Sequence, residues 1–296
     1  MQLFSHYLWS QQTATHTKNW QNHMIGDGLL YAARNTSYNA RTYPSDLHYH
    51  DYYELVIFER GNIRYVCESR VYYPTRGDIV LIPPGKFHMS AINDEHTQYK
   101  RHVFYFYPSA FDQAGFSCLF AFLKEQPSHV LFSLLSHTDK QELMGLLHEL
   151  ERTLSDENDP QNQALAFSYV LQIFYRLNKK LLRSEHTAAS LPENIRRLRQ
   201  YIDENYAQIS SVSQIARHFF YSREYVSRLF KKHFDITVSD YILKRRVAES
   251  QIRIAQGAPI IDAAYGVGFG SLSAFIRAFR LITGMTPSAY RKAKKT

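Results

Sequence analysis

The chain has 296 residues, 45% of them apolar, and a formal net charge of +8 at neutral pH, a size that suits two domains with separate cores. Its longest apolar stretches, such as Val103 to Tyr107, fall far short of the about 20 residues needed to cross a bilayer. Nothing near the start resembles a signal peptide, so the expectation is a soluble cytoplasmic protein without membrane contact. Two cysteines, Cys67 and Cys118, make neither a metal-ligand spacing nor a disulfide framework, and both are expected to be small buried hydrophobes.

Residues 25 to 107 read as β-rich, with strand-like runs at Tyr53 to Phe58, Ile63 to Cys67, Ile79 to Ile82 and His102 to Tyr107 separated by turn residues. Regular short strands with glycine punctuation suggest a barrel. Within it, His48-Tyr49-His50, then Glu54, then Gly61 form one pattern, and Gly77-Asp78, Pro83-Pro84-Gly85 and His88 form another. The first resembles the first cupin motif and the second supplies most of the second. That resemblance implies a jelly-roll-like barrel in which His48, His50, Glu54 and His88 converge. Three uses of such a set remain open: a divalent metal site as in cupin enzymes, hydrogen bonding among the four side chains, or the lining of an effector pocket. The third is preferred, which makes His48, His50, Glu54, His88 and Tyr53 the candidate ligand-binding residues, with no required cofactor or metal. Tyr49, Tyr52, Tyr65, Tyr105 and Tyr107 add apolar faces and hydroxyls suited to a polar ring such as a sugar.

From Phe111 to Leu182 the pattern becomes helical, around Cys118 to Lys124, then Lys140 to Leu154, then Gln163 to Leu182. Leu143, Leu147, Leu150 and Leu154 make one apolar stripe. Ser155 to Pro160 reads as a loop, and the polar stretch Arg183 to Leu191 reads as a hinge. The boundaries expected are 1–183 for the first domain, 184–192 for the linker and 193–296 for the second domain.

The second domain repeats itself at an interval of 49 residues: Phe220, Ser222, Arg228, Phe230, Thr237, Ser239 and Tyr241 recur as Phe269, Ser271, Arg277, Phe279, Thr286, Ser288 and Tyr290. Each copy has a short helix, a turn, and a second helix capped by Ser222 or Ser271, which is helix-turn-helix grammar. In the first copy Val226, Leu229 and Phe230 would be buried, leaving Glu224, Ser227, Arg228 and Lys231 on the opposite face. In the second, Phe275 and Phe279 would point inward and Ser273, Arg277 and Arg280 outward. Such a cationic face can enter a major groove, where an arginine fork grips guanine. Gly268 suits the left-handed turn of the second copy, Gly284 closes its recognition helix, and Thr286-Pro287 starts the next. The first copy has Phe220 at the turn and Asp235 at the close, so its turn is expected to take a different backbone path.

Ile215-Ala216 with Ser222 to Lys232, and Ile260 to Phe269 with Phe275 to Arg280, Gly284 and Thr286 to Arg291, resemble the DNA-binding domain of the AraC/XylS family of bacterial transcription regulators. Tyr241 to Ala255 resembles that family's linker helix, with Arg246 in place and Ser250 and Arg253 as departures. The fold class implied is α+β: a cupin-type barrel with trailing helices, then an all-α domain of two helix-turn-helix units joined by a linker helix. The charge distribution agrees, because residues 191–296 hold 18 Lys+Arg against 8 Asp+Glu while residues 1–190 hold 17 against 19. The candidate DNA-binding residues are Ser222, Arg223, Glu224, Ser227, Arg228, Lys231, Lys232, Ser271, Leu272, Ser273, Arg277 and Arg280.

The resemblance implies a non-enzymatic regulator that binds double-stranded promoter DNA, senses a small molecule such as a sugar or related carbon-source metabolite, pairs as a homodimer through the helices after the barrel, and meets RNA polymerase. Two alternatives stand beside it. One is a metal-dependent cupin enzyme with a basic DNA-binding appendage, and the other is a nucleoid-type protein that needs no effector.

Overall fold

The computed structural model describes residues 20–25, 29–37, 47–68, 70–92, 98–111, 116–120, 131–133, 135–155, 159–181, 189–234 and 236–294. The first part is built from strands β1 (Trp20–Met24), β2 (Leu29–Ser37), β3 (Tyr53–Arg60), β4 (Ile63–Cys67), β5 (Arg70–Tyr72), β6 (Ile79–Ile82), β7 (His88–Ile92), β8 (Gln98–Phe106), β9 (Leu131–Ser133) and β10 (Ala189–Ser190). They form two antiparallel sheets, one in the order β1-β2-β8-β3-β6-β9 and the other β10-β5-β4-β7. The expected barrel is therefore not closed: no ladder among the described residues joins the two sheets edge to edge. It is a pair of facing sheets whose inner side chains interlock.

Period-two alternation sorts β3 between two cores. Leu55 and Ile57 join a cluster with Phe104, Phe106 and the helices that follow, whereas Val56 and Phe58 join Leu30, Tyr65, Tyr99 and Val103 between the sheets. Helix α1 (His137–Thr153) starts three residues before the expected Lys140, because Ser136 accepts the Asp139 amide at 3.2 Å as its N-cap. Leu143, Leu147, Leu150 and Leu154 bury their stripe against the outer face of the larger sheet, and α2 (Pro160–Leu181) covers the rest. Lys100 fastens α1 to the sheet by bridging Glu59 at 2.9 Å and Glu151 at 3.1 Å. Cys67 is buried as expected, but Cys118 is exposed in a 3-10 turn, Ser117–Phe120, too short to turn its thiol into a core. The remainder of the helix expected up to Lys124 lies outside the described residues.

The second part holds α3 (Glu193–Asn205), α4 (Val212–His218), α5 (Arg223–Phe234), α6 (Val238–Ala255), α7 (Ile260–Gly266), α8 (Leu272–Thr283) and α9 (Pro287–Lys294). Two cores divide it. Ile215, Val226, Phe230 and Phe234 pack with α3 and the start of α6, and Ala263, Ala264, Phe275 and Phe279 pack with the end of α6. The first of these cores also contains Val66, Val71 and Met89 from the smaller sheet and Leu47 and Phe87 from the segments beside it. The two parts thus share buried apolar side chains, and β10 ties the end of the expected hinge to β5.

The turn of the first unit makes the same left-handed bend as that of the second. Phe220 sits at φ 56° and Gly268 at φ 90°. In each turn the next amide reaches back to an alanine carbonyl, Tyr221 to Ala216 at 2.9 Å and Phe269 to Ala264 at 3.2 Å. At the left-handed residue the expected difference in path does not arise, because Phe220 is 97% exposed. With its ring in solvent the residue meets only the local left-handed cost of about 1–2 kcal/mol, which packing on either side can offset. The matching position is therefore Gly268, 48 residues on, and Gly270 adds one residue before Ser271 restores the spacing of 49. Asp235 lies outside the described residues.

Gly268 has no such latitude, since a Cβ there would lie 2.1 Å from the Ala207 carbonyl oxygen. Gly268→Ala is expected to cost about 3 kcal/mol or more in urea unfolding, the sum of overpacking and left-handed strain. Phe220→Asn is expected to leave stability unchanged or raise it by up to about 1 kcal/mol, because asparagine tolerates the conformation. A loss from Phe220→Asn as large as that from Gly268→Ala would mean that packing, and not solvent, surrounds the first turn.

Candidate nucleic-acid interface and ligand site

The recognition helices α5 and α8 sort their residues by helical period. In α5, Val226, Leu229, Phe230 and Phe234 are buried while Arg223, Glu224, Ser227, Arg228, Lys231 and Lys232 are exposed. In α8, Phe275, Ala278, Phe279 and Thr283 are buried while Ser273, Arg277 and Arg280 are exposed, with Leu272 and Ser271 half-buried at the start. Ser222 and Ser271 cap the two helices, accepting the Tyr225 amide at 3.1 Å and the Ala274 amide at 3.2 Å. The Arg228 guanidinium lies 6.0 Å from the Tyr225 ring centroid, so an aromatic face backs one of the two repeated arginines. Each unit thus presents a cationic face on a rigid, capped helix, the form a major groove admits.

At one end of the facing sheets, His48 and His88 exchange backbone hydrogen bonds of 3.1 and 2.9 Å, and this bridge brings the two sequence patterns together. The ring centroids of His48 and His88 lie 4.2 Å apart, and those of His50 and His88 4.9 Å apart. Glu54, 3% exposed, receives both remaining imidazoles on one oxygen, with Oε2 2.8 Å from His50 Nε2 and 3.1 Å from His88 Nε2. His48 is exposed, which opens the cluster to solvent.

A proton count shows what this cluster lacks. His50 Nδ1 lies 2.7 Å from the Tyr52 carbonyl and His88 Nδ1 lies 3.0 Å from the Lys86 carbonyl, and carbonyls only accept. A neutral imidazole has one N–H, so each ring can satisfy its carbonyl or Glu54 but not both. Burial pushes His50 below its ordinary range, against the pull of Glu54. Burial alone would raise the Glu54 carboxyl, but the charge of His88 and the hydrogen bonds from both rings hold it well below the usual carboxylate range. Two doubly protonated rings would satisfy every contact. At His88, so would a divalent cation placed between its Nε2 and the carboxylate, with its Nδ1–H oriented by the Lys86 carbonyl as metal-bound histidines usually are. Ligand atoms of His48, Glu54 and His88 all lie within 4.8 Å of one another. The donor set fits a borderline ion such as Zn2+.

Tyr53 does not join this cluster. It is one residue out of phase with Glu54 on β3, so its ring stacks on Phe106 at 5.5 Å on the helix-covered face of the larger sheet. The aromatic neighbours are Tyr52, stacked on His50 at 4.2 Å, and Tyr65, with its ring 6.2 Å from that of His88. The Tyr65 hydroxyl is buried without a hydrogen-bond partner among the described residues, a donor available to a ligand oxygen. Strand phase was the signal that separates Tyr53 from Tyr65, because Tyr65 alternates inward with Ile63 and Cys67.

An AraC-like ligand binding domain family matches residues 35–174, and a helix-turn-helix domain family matches residues 215–293. The HTH-type transcriptional regulator YdiP of Escherichia coli (strain K12) is 27% identical over 248 residues, covering 82% of this chain and 79% of its own. The HTH-type transcriptional regulator YbfI of Bacillus subtilis (strain 168) is 27% identical over 233 residues, covering 76% and 79%. The arabinose operon regulatory protein of Escherichia coli (strain K12) is 24% identical over 236 residues, covering 76% and 75%.

Titrating chelator-treated protein with Co2+ is the direct test of the proton count. A visible ligand-field spectrum saturating at one equivalent is expected, lost in His48→Ala and Glu54→Gln. A silent spectrum would assign the missing positive charge to protons.

Proposed function

Since the chain belongs to the AraC/XylS family of transcription regulators, with its AraC-like ligand-binding domain preceding its helix-turn-helix domain, we propose that it reads promoter DNA with two recognition helices under the control of a sugar or related carbon-source metabolite. The observation that carries the DNA half is the twin exposure of Arg228 and Arg277 at equivalent positions on capped helices. These two arginines contact bases, Glu224, Ser227 and Ser273 contribute flanking readout, and Lys231, Lys232 and Arg280 meet phosphates. Arg223, Ser222, Ser271 and Leu272 lie at the helix starts, where amides and caps approach the backbone. Every one of these side chains lies on a solvent-facing or half-buried position.

Support for the sugar is the kinship with an arabinose operon regulatory protein together with the chemistry of the His48, His50, Glu54 and His88 cluster. Carboxylate, imidazole and the unpartnered Tyr65 hydroxyl suit a polyhydroxylated ring. Domain limits near 183 and 193 follow from the same reading, as does a homodimer formed through α1 and α2, with RNA polymerase as a further partner at the promoter. No helix among the described residues is long and apolar enough to cross a membrane, which agrees with a protein at work on the nucleoid.

Two experiments test the two halves. Arg277→Ala should lose about 1–3 kcal/mol on cognate duplex and little on random duplex. Lys232→Ala should weaken both alike and lower the salt slope by about one. Equal losses on both duplexes for Arg277→Ala would overturn its base-reading role. In a thermal-shift screen, a carbohydrate that binds only the folded chain should raise the melting point, by about 2.7 kcal/mol of added stability at a hundredfold excess over Kd. No response to any sugar would remove that ligand class.

A further inference from the structure

The same two segments that carry the candidate ligand cluster also grip the DNA-binding domain. Leu47, next to His48, accepts a hydrogen bond of 2.8 Å from Lys244 Nζ on α6. Phe87, next to His88, packs its ring 5.0 Å from that of Tyr241 on α6 and donates its amide at 2.8 Å to Glu68 Oε1. The other oxygen of Glu68 pairs with Arg199 on α3, whose Nε donates to the Tyr241 hydroxyl at 3.0 Å. The Tyr241 hydroxyl in turn donates to Asp203 at 2.6 Å. Glu68 takes φ 54°, a left-handed conformation unusual outside glycine, and its two bonds hold it there. One residue beyond His50, Asp51 pairs with Lys294 of α9 at 3.1 Å.

We propose that the His48–His88 bridge is the coupling element of the regulator: the closed cluster at the ligand site and the gripped state of α3 and α6 are one conformation, and a ligand that takes Glu54 or a histidine nitrogen loosens the grip. This rests on the ligand site proposed above and adds how that site is read. The physical ground is that Leu47 and Phe87 flank the two bridged residues directly, so moving His48 or His88 displaces the very backbone that Lys244 and Glu68 hold. Both helix-turn-helix units are affected, because α3 and the first half of α6 belong to the first unit while α9 belongs to the second. The recognition faces are exposed in the gripped state. The grip therefore acts on how the two units are oriented and not by covering either face.

Hydrogen exchange on the full chain, followed by mass spectrometry of peptides from α3 and α6, tests the coupling. His88→Ala should speed exchange in both helices by about tenfold, and Glu68→Asn, which removes the ion pair while tolerating the left-handed backbone, should do the same. Because both act through one bridge, the double variant should exchange no faster than the faster single variant. Lys140→Ala is the control. It removes an ion pair of 2.7 Å to Asp78 on the far side of the larger sheet and should leave α3 and α6 unchanged. Should His88→Ala fail to give a cooperative melt, His48→Ala serves instead, since His48 is exposed and its loss leaves no buried hole. Unchanged exchange in α3 and α6 for a folded histidine variant, or single effects that multiply in the double, would overturn the proposal. Fluorescence anisotropy with a promoter duplex separates it from the regulator reading. A wild-type chain that binds no duplex sinks that reading and the coupling with it, whereas duplex binding with unresponsive exchange sinks the coupling alone.

Discussion

An arginine buried to 3% exposure is tolerable only if its donors are matched, and at Arg199 the partners come from three places in the chain. Glu68 comes from the turn after β4, Tyr241 from α6 and Asp203 from α3, one turn on from Arg199 itself, at 3.2 Å. Removing one partner of a buried pair leaves a charge uncompensated, at a cost of about 3–5 kcal/mol. Building such a network yields far less than that, because each ion gives up its hydration. One guanidinium nitrogen, Nη1, finds no partner among the described residues, which lowers the yield further. The value of the arrangement lies in registry: the smaller sheet, α3 and α6 can meet in one way that satisfies Arg199 and in few others. The repeat extends this to the second unit. Tyr241 and Tyr290 are equivalent residues, and Asp51 on the sheet side raises the Tyr290 hydroxyl by charge and hydrogen bonding, after burial itself. A tyrosine hydroxyl in each unit therefore answers to an acidic group at the domain boundary.

Arginine serves the molecule in two opposite ways, and solvent decides which. Arg199, Arg245 and Arg246 lie inside or at the edge of the packed domain, each aimed at carboxylates or carbonyls. Arg228, Arg277 and Arg280 lie on helix faces where no carboxylate is paired with them among the described residues, so their forks remain available to nucleic acid. The excess of 18 Lys+Arg over 8 Asp+Glu in residues 191–296 reflects this division. The acidic residues there are mostly spent on structure: Asp203 on Arg199 and Tyr241, Asp240 on the start of α6, Glu249 on Arg253. What is left uncompensated is the charge that releases counterions from DNA.

The helix-turn-helix units were legible because everything that specifies them is local. Ser222 and Ser271 act within three residues, and the buried stripes repeat within a turn of helix. Gly268 declares the turn by itself, and that is also why Phe220 misled: propensity penalises a left-handed phenylalanine, but the hydrogen bonds from Phe220 to Arg217 and from Tyr221 to Ala216 outweigh the penalty. The convergence of His48, His50, Glu54 and His88 was legible through their spacing, whereas the place of Tyr53 was not, because a strand shows its alternation but not which phase faces inward. Cys118 followed an average for its residue type that a 3-10 turn does not honour. The contact between domains left no local trace. Arg199 and Glu68 stand 131 residues apart, and neither carries a mark that it would be buried against the other.

The junction between the two units shows how a single insertion can be absorbed. Arg246 on α6 donates to the carbonyls of Tyr206 and Ile209 at 3.0 and 2.8 Å, closing the turn between α3 and α4. Burial pushes this guanidinium below its usual range, yet it holds carbonyls that would otherwise end a helix unsatisfied. Against that closed turn sits Gly268, with room for no side chain beyond the Ala207 carbonyl. The turn of the second unit thus rests on a backbone surface that the first unit builds and the linker helix fastens. An alanine at Gly268 would strike main chain, which cannot yield as a flexible side chain does. Gly270, the extra residue of the second turn, has nothing within 4 Å of where a Cβ would be. The added length therefore bulges into open space between a constrained glycine and the Ser271 cap, and α8 still begins in the same relation to its unit as α5 does. Close packing on one side of the insertion and capping on the other keep the two recognition helices equivalent despite turns of unequal length.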